Sequence, residues 1–316
     1  MGEPLEKVLV TGGAGYIGSV LVGELLQEGF GVTVVDNFLY RQNSLAAHCH
    51  QRNLSVAVAD VRHSNELAHL VKSHDIVIPL AAIVGAPACN ERAFDASSTN
   101  LDATLNLLRG LSNDQFVIMP TTNSAYGSGP IGQVFTEESD LNPISSYARE
   151  KVIVEEALMQ HPMSISLRLA TVFGMSPRMR LDLLVNNFVL KALRDEYLLL
   201  FEDHFTRNFI HVKDVAHAFI LAIKNRESML GNIYNVGLST ANLTKMELAQ
   251  TIQRQLPNLT IVRSDHRSDP DQRNYLVSNE KIENAGFVPK FSLEDGVAEL
   301  IKGIRTLSQG NYFNTF

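Results

Sequence analysis

The stretch Val8-Leu-Val-Thr-Gly-Gly-Ala-Gly-Tyr-Ile-Gly-Ser-Val-Leu-Val22 limits what this chain can fold into more than any other. Val8–Val10 is a short apolar run of the kind that forms a buried parallel strand. A turn rich in glycine follows, at Gly12, Gly13, Gly15 and Gly18, and then an amphipathic helix expected over Ser19–Glu28 and stopped by Gly29. In such a unit one glycine makes the tight turn, one lets the backbone approach a pyrophosphate, and one lets helix and strand pack closely. The helix N-terminus offers unpaired N–H groups and the positive end of its dipole to the phosphates. A second strand, Gly31–Val35, ends in Asp36, 18 residues past Gly18. An acid there takes the adenosine ribose hydroxyls and repels a 2′-phosphate, so the pattern predicts NAD rather than NADP. A purely structural turn in another βαβ unit is the alternative. It does not account for strand, glycines, helix, strand and acid arriving in this order.

The first half continues the same alternation. Strands are expected over Leu54–Ala59, ending in Asp60, then Asp75–Leu80, Gln115–Pro120 and Ser164–Val172, with helices over Ser64–Ser73, Ser97–Leu111 and Tyr147–His161. Strands alternating with helices in this way form a doubly wound parallel sheet, with ligands at the C-terminal strand ends. The second half has an arginine-bearing loop over Met175–Asp182, a helix over Leu183–Arg194, short strands over Glu196–Phe201 and Asn208–Val212, and a helix over Val215–Lys224. Asn232–Val236 is expected as a last strand of the main sheet. Thr244–Leu256 is a helix opened by a Thr244/Glu247 capping box. Thr260–Val262 is a short strand, and Arg263–Phe316 a polar loop, a small helix and a terminal helix over Leu293–Leu307. The predicted class is α/β: a Rossmann domain over residues 1–174, with return segments at about 208–240, and a smaller C-terminal α/β substrate lobe over 175–316.

Bulk properties narrow the partners. A net charge of −7 gives no reason to expect nucleic acid or an anionic membrane. Cys49 and Cys89 are too few for a disulfide framework or a cysteine metal site. His204 and His211 have poor ligand spacing, and no metal is expected. The chain enters a strand within a few residues of Met1, and no apolar run is long enough to cross a bilayer, so a cytoplasmic protein is expected.

Tyr147-Ala-Arg-Glu-Lys151 is the second decisive stretch. Positions i and i+4 share one helix face, so the Tyr147 hydroxyl and the Lys151 ammonium can address one site. A phenol titrates near pH 10 in isolation, about three units above neutrality. A lysine cation and a positively charged nicotinamide ring favour its phenolate. Tyr147 can then take a proton from a substrate hydroxyl as the attached carbon gives up hydride. On its own the pair is equally a helical surface pair; following a dinucleotide fold, it reads as chemistry.

With these parts the chain resembles the extended short-chain dehydrogenases/reductases, the NAD-dependent nucleotide-sugar epimerase and dehydratase group. The parts are Thr11-Gly-Gly-Ala-Gly-Tyr-Ile-Gly18, Asp36-Asn37, Asp60-Val61, Leu80-Ala-Ala82, Thr121-Thr-Asn-Ser-Ala-Tyr-Gly127, Tyr147-Ala-Arg-Glu-Lys151, Arg168-Leu-Ala-Thr-Val-Phe-Gly174 and Arg207-Asn-Phe-Ile-His-Val-Lys-Asp214. The resemblance covers nearly the whole chain. It implies Tyr147 as general base, Lys151 on the nicotinamide ribose, and Thr122 as the hydroxyl partner. For the cofactor it implies Gly12, Gly15, Tyr16, Ile17, Gly18, Asp36, Asn37, Asp60, Val61, Leu80, Ala81 and Ala82, with Asn100 supporting the cofactor loop. Within the group, Ile78–Pro87, Thr122-Asn-Ser124, Ser176–Asn186 and Tyr275-Leu-Val-Ser278 look most like bacterial enzymes that oxidise C4 of a GDP-linked heptose. UDP-hexose 4-epimerases are similar, less closely.

Departures matter as much. Dehydratases of the group carry Asp-Glu where this chain has Asn123 and Ser124, neither of which trades a proton near neutral pH, so no 4,6-dehydratase activity is expected. Thr171 replaces an Asn, and Pro79 a His, that are usual in the group. A sugar nucleotide presents a diphosphate, which arginine forks and helix N-termini hold well. Arg207 matches the group's diphosphate arginine, Arg273 is a second candidate, and Arg178 and Arg180 lie in a loop able to close over the sugar. Asn123, Ser124 and Asn186 complete the substrate candidates. The expected function is oxidation at C4 of a GDP- or UDP-linked sugar, with UDP-hexose 4-epimerase as the alternative and a non-catalytic NAD-binding regulator as a remote one. Apolar stripes on more than one side of the helices Ser97–Leu111 and Tyr147–His161 suggest a homodimer or larger assembly.

Overall fold

The computed structural model describes residues 5–130, 132–264, 273–307 and 312–313, without the side chains of 64–66 and 86. In chain order the strands are β1 (Lys7–Thr11), β2 (Gly31–Asp36), β3 (Leu54–Val58), β4 (Ile76–Pro79), β5 (Phe116–Thr122), β6 (Val134–Phe135), β7 (Ser164–Leu169), β8 (Thr171–Phe173), β9 (Tyr197–Leu200), β10 (Thr206–His211), β11 (Asn232–Val236), β12 (Asn242–Thr244), β13 (Thr260–Arg263) and β14 (Leu276–Val277). Seven of them form one sheet in the order β11-β7-β5-β4-β1-β2-β3. Every pairing in it is parallel. The chain leaves β1 toward β2 on one side and returns to β4 on the other. That reversal opens a crevice at the C-terminal strand ends, where α/β sheets bind ligands.

β5 and β7 are buried along their whole length, as helices on both faces require of central strands. The largest apolar cluster runs from Val8, Val10 and Leu21 through Ile118 and Leu167 into Phe209, Phe219 and Val297 of the second half. One continuous core therefore joins the Rossmann sheet to the later elements. The expected return of 232–236 to the main sheet is found, with Asn232–Val236 pairing Ile165–Leu169.

Several boundaries differ from expectation, each for a local reason. The first helix is Tyr16–Gln27, three residues ahead of its expected start, because Gly15 adopts extended geometry and serves as its N-cap. The expected strand Ser164–Val172 breaks at Ala170, and its last part pairs with β10 in a separate sheet, β12-β10-β8. The expected helix Ser97–Leu111 begins earlier, at Ala93, and contains a π-helical turn over Ser98–Asp102 before ending at Arg109. The short helix Ala86–Glu91 and the pairing of β6 with β14 have no counterpart in the sequence reading. The capping box of Thr244 and Glu247 is present. Part of the polar loop expected after Arg263 lies outside the described residues. Among the described residues, no helix is long and apolar enough to cross a membrane.

Candidate active site

A cavity of about 730 Å³ runs along the C-terminal ends of β1, β2, β3, β4, β5 and β7. Its cofactor end is built by the glycine turn. Gly12 has φ +69°, and a Cβ there would lie 2.6 Å from the Ala81 amide nitrogen. Only glycine allows this turn to lie against the loop after β4, which supplies Leu80, Ala81 and Ala82 to the same wall. Gly15, Tyr16, Ile17 and Gly18 also face the cavity, and no side chain caps the helix that they open. Asp36, at the end of β2, accepts the Phe38 N–H at 2.8 Å and the Ala14 N–H at 3.1 Å. Burial pushes its carboxyl upward, against those bonds. A free helix N-terminus, a glycine-only approach and a carboxylate at the second strand end together fit a dinucleotide.

The adenosine side is closed by ions. Asn37 donates to Asp60 at 3.1 Å, and Arg62 bridges Asp60 and Asp95 at 2.8 Å each. The bonded Arg62 guanidinium holds Asp60 well below the usual carboxylate range. Val61 lines the cavity beside them. Asn100 does not line it. It sits in the π-helical turn and grips the loop above, accepting from Ile83 N at 2.8 Å and donating to Ile83 O at 3.0 Å.

At the far end, the helix Ser146–Leu158 is capped by Ser145 Oγ, which accepts the Ala148 N–H at 3.2 Å. Its Tyr147 and Lys151 both face the cavity, with Thr122 and Ser124 from the end of β5. Burial drives the Tyr147 phenol up to about 12, with the Cys89 side chain adding to it, while Arg180 and Arg273 pull it back. Burial also lowers the Lys151 ammonium to about 8. Lys151 Nζ meets the Pro120 carbonyl at 3.5 Å. Arg180 and Arg273 thus add their fields at the phenol to the Lys151 side chain that shares its helix face and cavity.

The other candidates divide. Arg207, Arg273 and Arg180 share the cavity with Tyr147. Arg207 stacks at 5.7 Å over Tyr275, and Arg180 pairs with Asp182 at 2.5 Å. Arg178 also lines the cavity but lies over the Tyr40 ring at 4.2 Å, and its field reaches Asp36. Asn186 is fully buried behind the wall. Its side chain accepts from Gly174 N at 3.1 Å and donates to Arg180 O at 2.8 Å and Tyr16 Oη at 3.3 Å. It ties down the arginine loop and is not among the residues that line the cavity. Asn123 is also fully buried off the cavity, and neither its Oδ1 nor its Nδ2 has a partner among the described residues.

Two arrangements had no reading in the sequence. Glu155, one turn beyond Lys151, accepts from Thr121 at 2.7 Å, Ser166 at 2.6 Å and Arg168 at 2.6 Å. Its signal was available: Tyr147, Lys151 and Glu155 recur every fourth position. The Arg62 to Asp95 bridge left no such trace, because its two ends meet only in the fold.

The sequence profile of the NAD dependent epimerase/dehydratase family matches residues 8–237. A UDP-N-acetyl-alpha-D-glucosaminuronate decarboxylase of Bacillus cytotoxicus is 32% identical, over 96% of this chain and 98% of its own. Among solved structures, a UDP-glucose 4-epimerase with UDP-glucose from Thermotoga maritima superposes with a TM-score of 0.82 at 26% identity, covering 95% of this chain and 98% of that one. A dTDP-glucose 4,6-dehydratase from Streptomyces venezuelae with NAD bound also gives 0.82 at 26% identity, covering 95% and 97%.

Proposed function

The chain belongs to the NAD-dependent epimerase/dehydratase family, and from that premise we propose that it oxidises C4 of a UDP- or GDP-linked sugar. The supporting observation is that Tyr147, Lys151 and Thr122 open into the cavity that holds the glycine turn and Asp36. NAD, when bound there, supplies the hydride acceptor. Gly12, Gly15 and the helix end behind them hold its pyrophosphate, and Asp36 its adenosine ribose. Tyr147 accepts the proton of the sugar hydroxyl. Lys151 holds the nicotinamide ribose, and Arg207 and Arg273 meet the diphosphate.

Release of the keto sugar makes the chain a dehydrogenase, the fate we propose. A 4-epimerase is the alternative, from the same residues. The similarity to a uronate decarboxylase favours a third fate, because a 4-keto uronate is a β-keto acid and loses its carboxyl readily. Ser124 and Asn123 offer no acid or base for 4,6-dehydration. Ile153, 45% exposed on the helix of Tyr147, supports a homodimer through that helix, which sedimentation tests.

UDP-glucose, UDP-N-acetylglucosamine, UDP-glucuronate and GDP-heptose, each added with NAD, separate the fates by absorbance at 340 nm and product analysis. NADH with a keto product identifies the dehydrogenase. A 4-epimer without net NADH identifies the epimerase, and carbon dioxide with a shortened sugar the decarboxylase. No reaction with any of the four refutes C4 oxidation of these sugars.

A further inference from the structure

The end of β5 sets two hydroxyls side by side in the cavity wall. Thr122 Oγ1 accepts the Ser124 N–H at 3.1 Å and donates its proton to Ser124 Oγ at 3.0 Å. Arg273 Nη1 donates to the same Ser124 oxygen. A hydroxyl has one proton to give and two acceptor sites. Both acceptor sites of Ser124 are filled, by a guanidinium that cannot accept and by a hydroxyl already committed as donor. The Ser124 proton is left to face the cavity that its side chain lines. Thr122 is the reverse. Its proton is engaged and one acceptor site holds an amide; the other has no partner among the described residues. Two neighbouring hydroxyls thus carry opposite hydrogen-bonding sense.

A substrate oxygen changes sense in the same way when an alcohol becomes a ketone. The alcohol has a proton to donate; the carbonyl oxygen only accepts. We propose that Ser124 is a substrate-contacting hydroxyl that donates to the sugar oxygen at the oxidised carbon, turned that way by Arg273. The inference rests on the C4-oxidation reading above. Ser124 keeps its proton throughout: it makes a hydrogen bond that strengthens as the proton leaves and negative charge builds on the sugar oxygen, while Thr122 and Tyr147 face the departing proton. A carboxylate at this position has no proton to give near neutral pH. The change from acid to hydroxyl therefore swaps a proton-transfer group for a holder of the keto form.

The test compares wild type, Ser124→Ala, Ser124→Thr, Arg273→Met and the Ser124→Ala/Arg273→Met pair on whichever of the four nucleotide sugars gives the fastest turnover. UDP and GDP dissociation constants are measured alongside by calorimetry, with Tm as a check on folding. Ser124→Ala is expected to lower kcat about 100- to 1000-fold, the scale of losing one donor to a developing oxyanion. The nucleoside diphosphate Kd and Tm stay near wild type, and Ser124→Thr recovers most of kcat. In the Arg273→Met background, Ser124 is no longer held in one sense, and adding Ser124→Ala costs less than about threefold. A wild type that turns over while Ser124→Ala stays within twofold overturns the inference alone. So does a kcat loss matched by equal losses in diphosphate affinity and Tm, which marks a structural role. A wild type inert toward all four sugars overturns the reading and the inference together.

Discussion

Removing the Glu155 carboxylate should unsettle the helix that carries the proposed chemistry, by an amount the structure lets one work out. Glu155 and Arg168 are 4% and 3% exposed, and Arg168 reaches the carboxylate through Nη2 at 2.6 Å and Nε at 3.0 Å. Glu155→Ala leaves that guanidinium buried without its counter-ion, and also strips the acceptor from Thr121 and Ser166. Breaking one half of a buried pair costs about 3–5 kcal/mol. An unfolding entropy of ~2.1 cal/mol/K per residue over 316 residues gives roughly 0.7 kcal/mol/K, so Tm should fall by about 4–7 °C. Arg168→Met, which strands the carboxylate instead, should cost a similar amount. The Glu155→Ala/Arg168→Met pair should cost much less than the two singles summed, since no uncompensated charge remains. Calorimetric or fluorescence melts of the four proteins, without added cofactor, measure this. Because Tyr147 and Lys151 lie on the same helix, turnover should fall in the single variants and recover partly in the pair. A Glu155→Ala protein melting within 1 °C of wild type, or singles whose costs simply add, would show that the pair does not hold the helix.

Two further outcomes follow from the site. Burial lowers the folded-state pKa of Lys151 to about 8, beneath its unfolded value, so the folded chain gives up this proton at lower pH than the unfolded one. The unfolded chain binds the extra proton between pH 8 and about 10.4, and wild-type stability from this group rises across that window and is lost as pH falls toward 8. Lys151→Met lacks the term. Its stability advantage in urea melts should grow from pH 10 down to pH 8, by up to ~3 kcal/mol, and stay level below; parallel curves would contradict the burial argument. Gly12→Ala places a Cβ against the Ala81 backbone at a positive φ, so it should abolish NAD retention while Asp36→Asn only weakens it. Equal NAD retention by Gly12→Ala and wild type, in protein of unchanged Tm, would sink the close-approach argument.

How far the sequence could be read depended on whether a signal is local. The glycine turn and Asp36 belong to one βαβ unit, and the Tyr147/Lys151 spacing is a single helical turn that takes its meaning from that unit. The sheet followed from the alternation of strands and helices. The break at Ala170 did not, because a strand that leaves one sheet for another keeps its apolar run unbroken. Nor did the π-helical turn that aims Asn100 at Ile83, since one extra residue in a turn leaves the apolar stripe nearly unchanged. The polar side chains showed the limit most clearly. Arg178, Asn186 and Asn123 all read as substrate ligands from their neighbours in sequence. The fold turned Arg178 toward Tyr40, used Asn186 to bind its own loop, and enclosed Asn123. The final reaction was not legible for a chemical reason: dehydrogenase, epimerase and decarboxylase all begin with the same C4 oxidation on the same groups.

The central claim is that the Tyr147 phenol takes the proton of the oxidised hydroxyl. Its most direct measurement is single-turnover reduction of NAD by Tyr147→Phe, with the nucleotide sugar that wild type uses, and with binding of NAD and UDP or GDP checked separately. The account predicts both ligands bound near wild-type affinity and the rate lowered at least about 100-fold, the lower end of what one positioned acid–base group supplies. Reduction at the wild-type rate by the phenylalanine variant would contradict it.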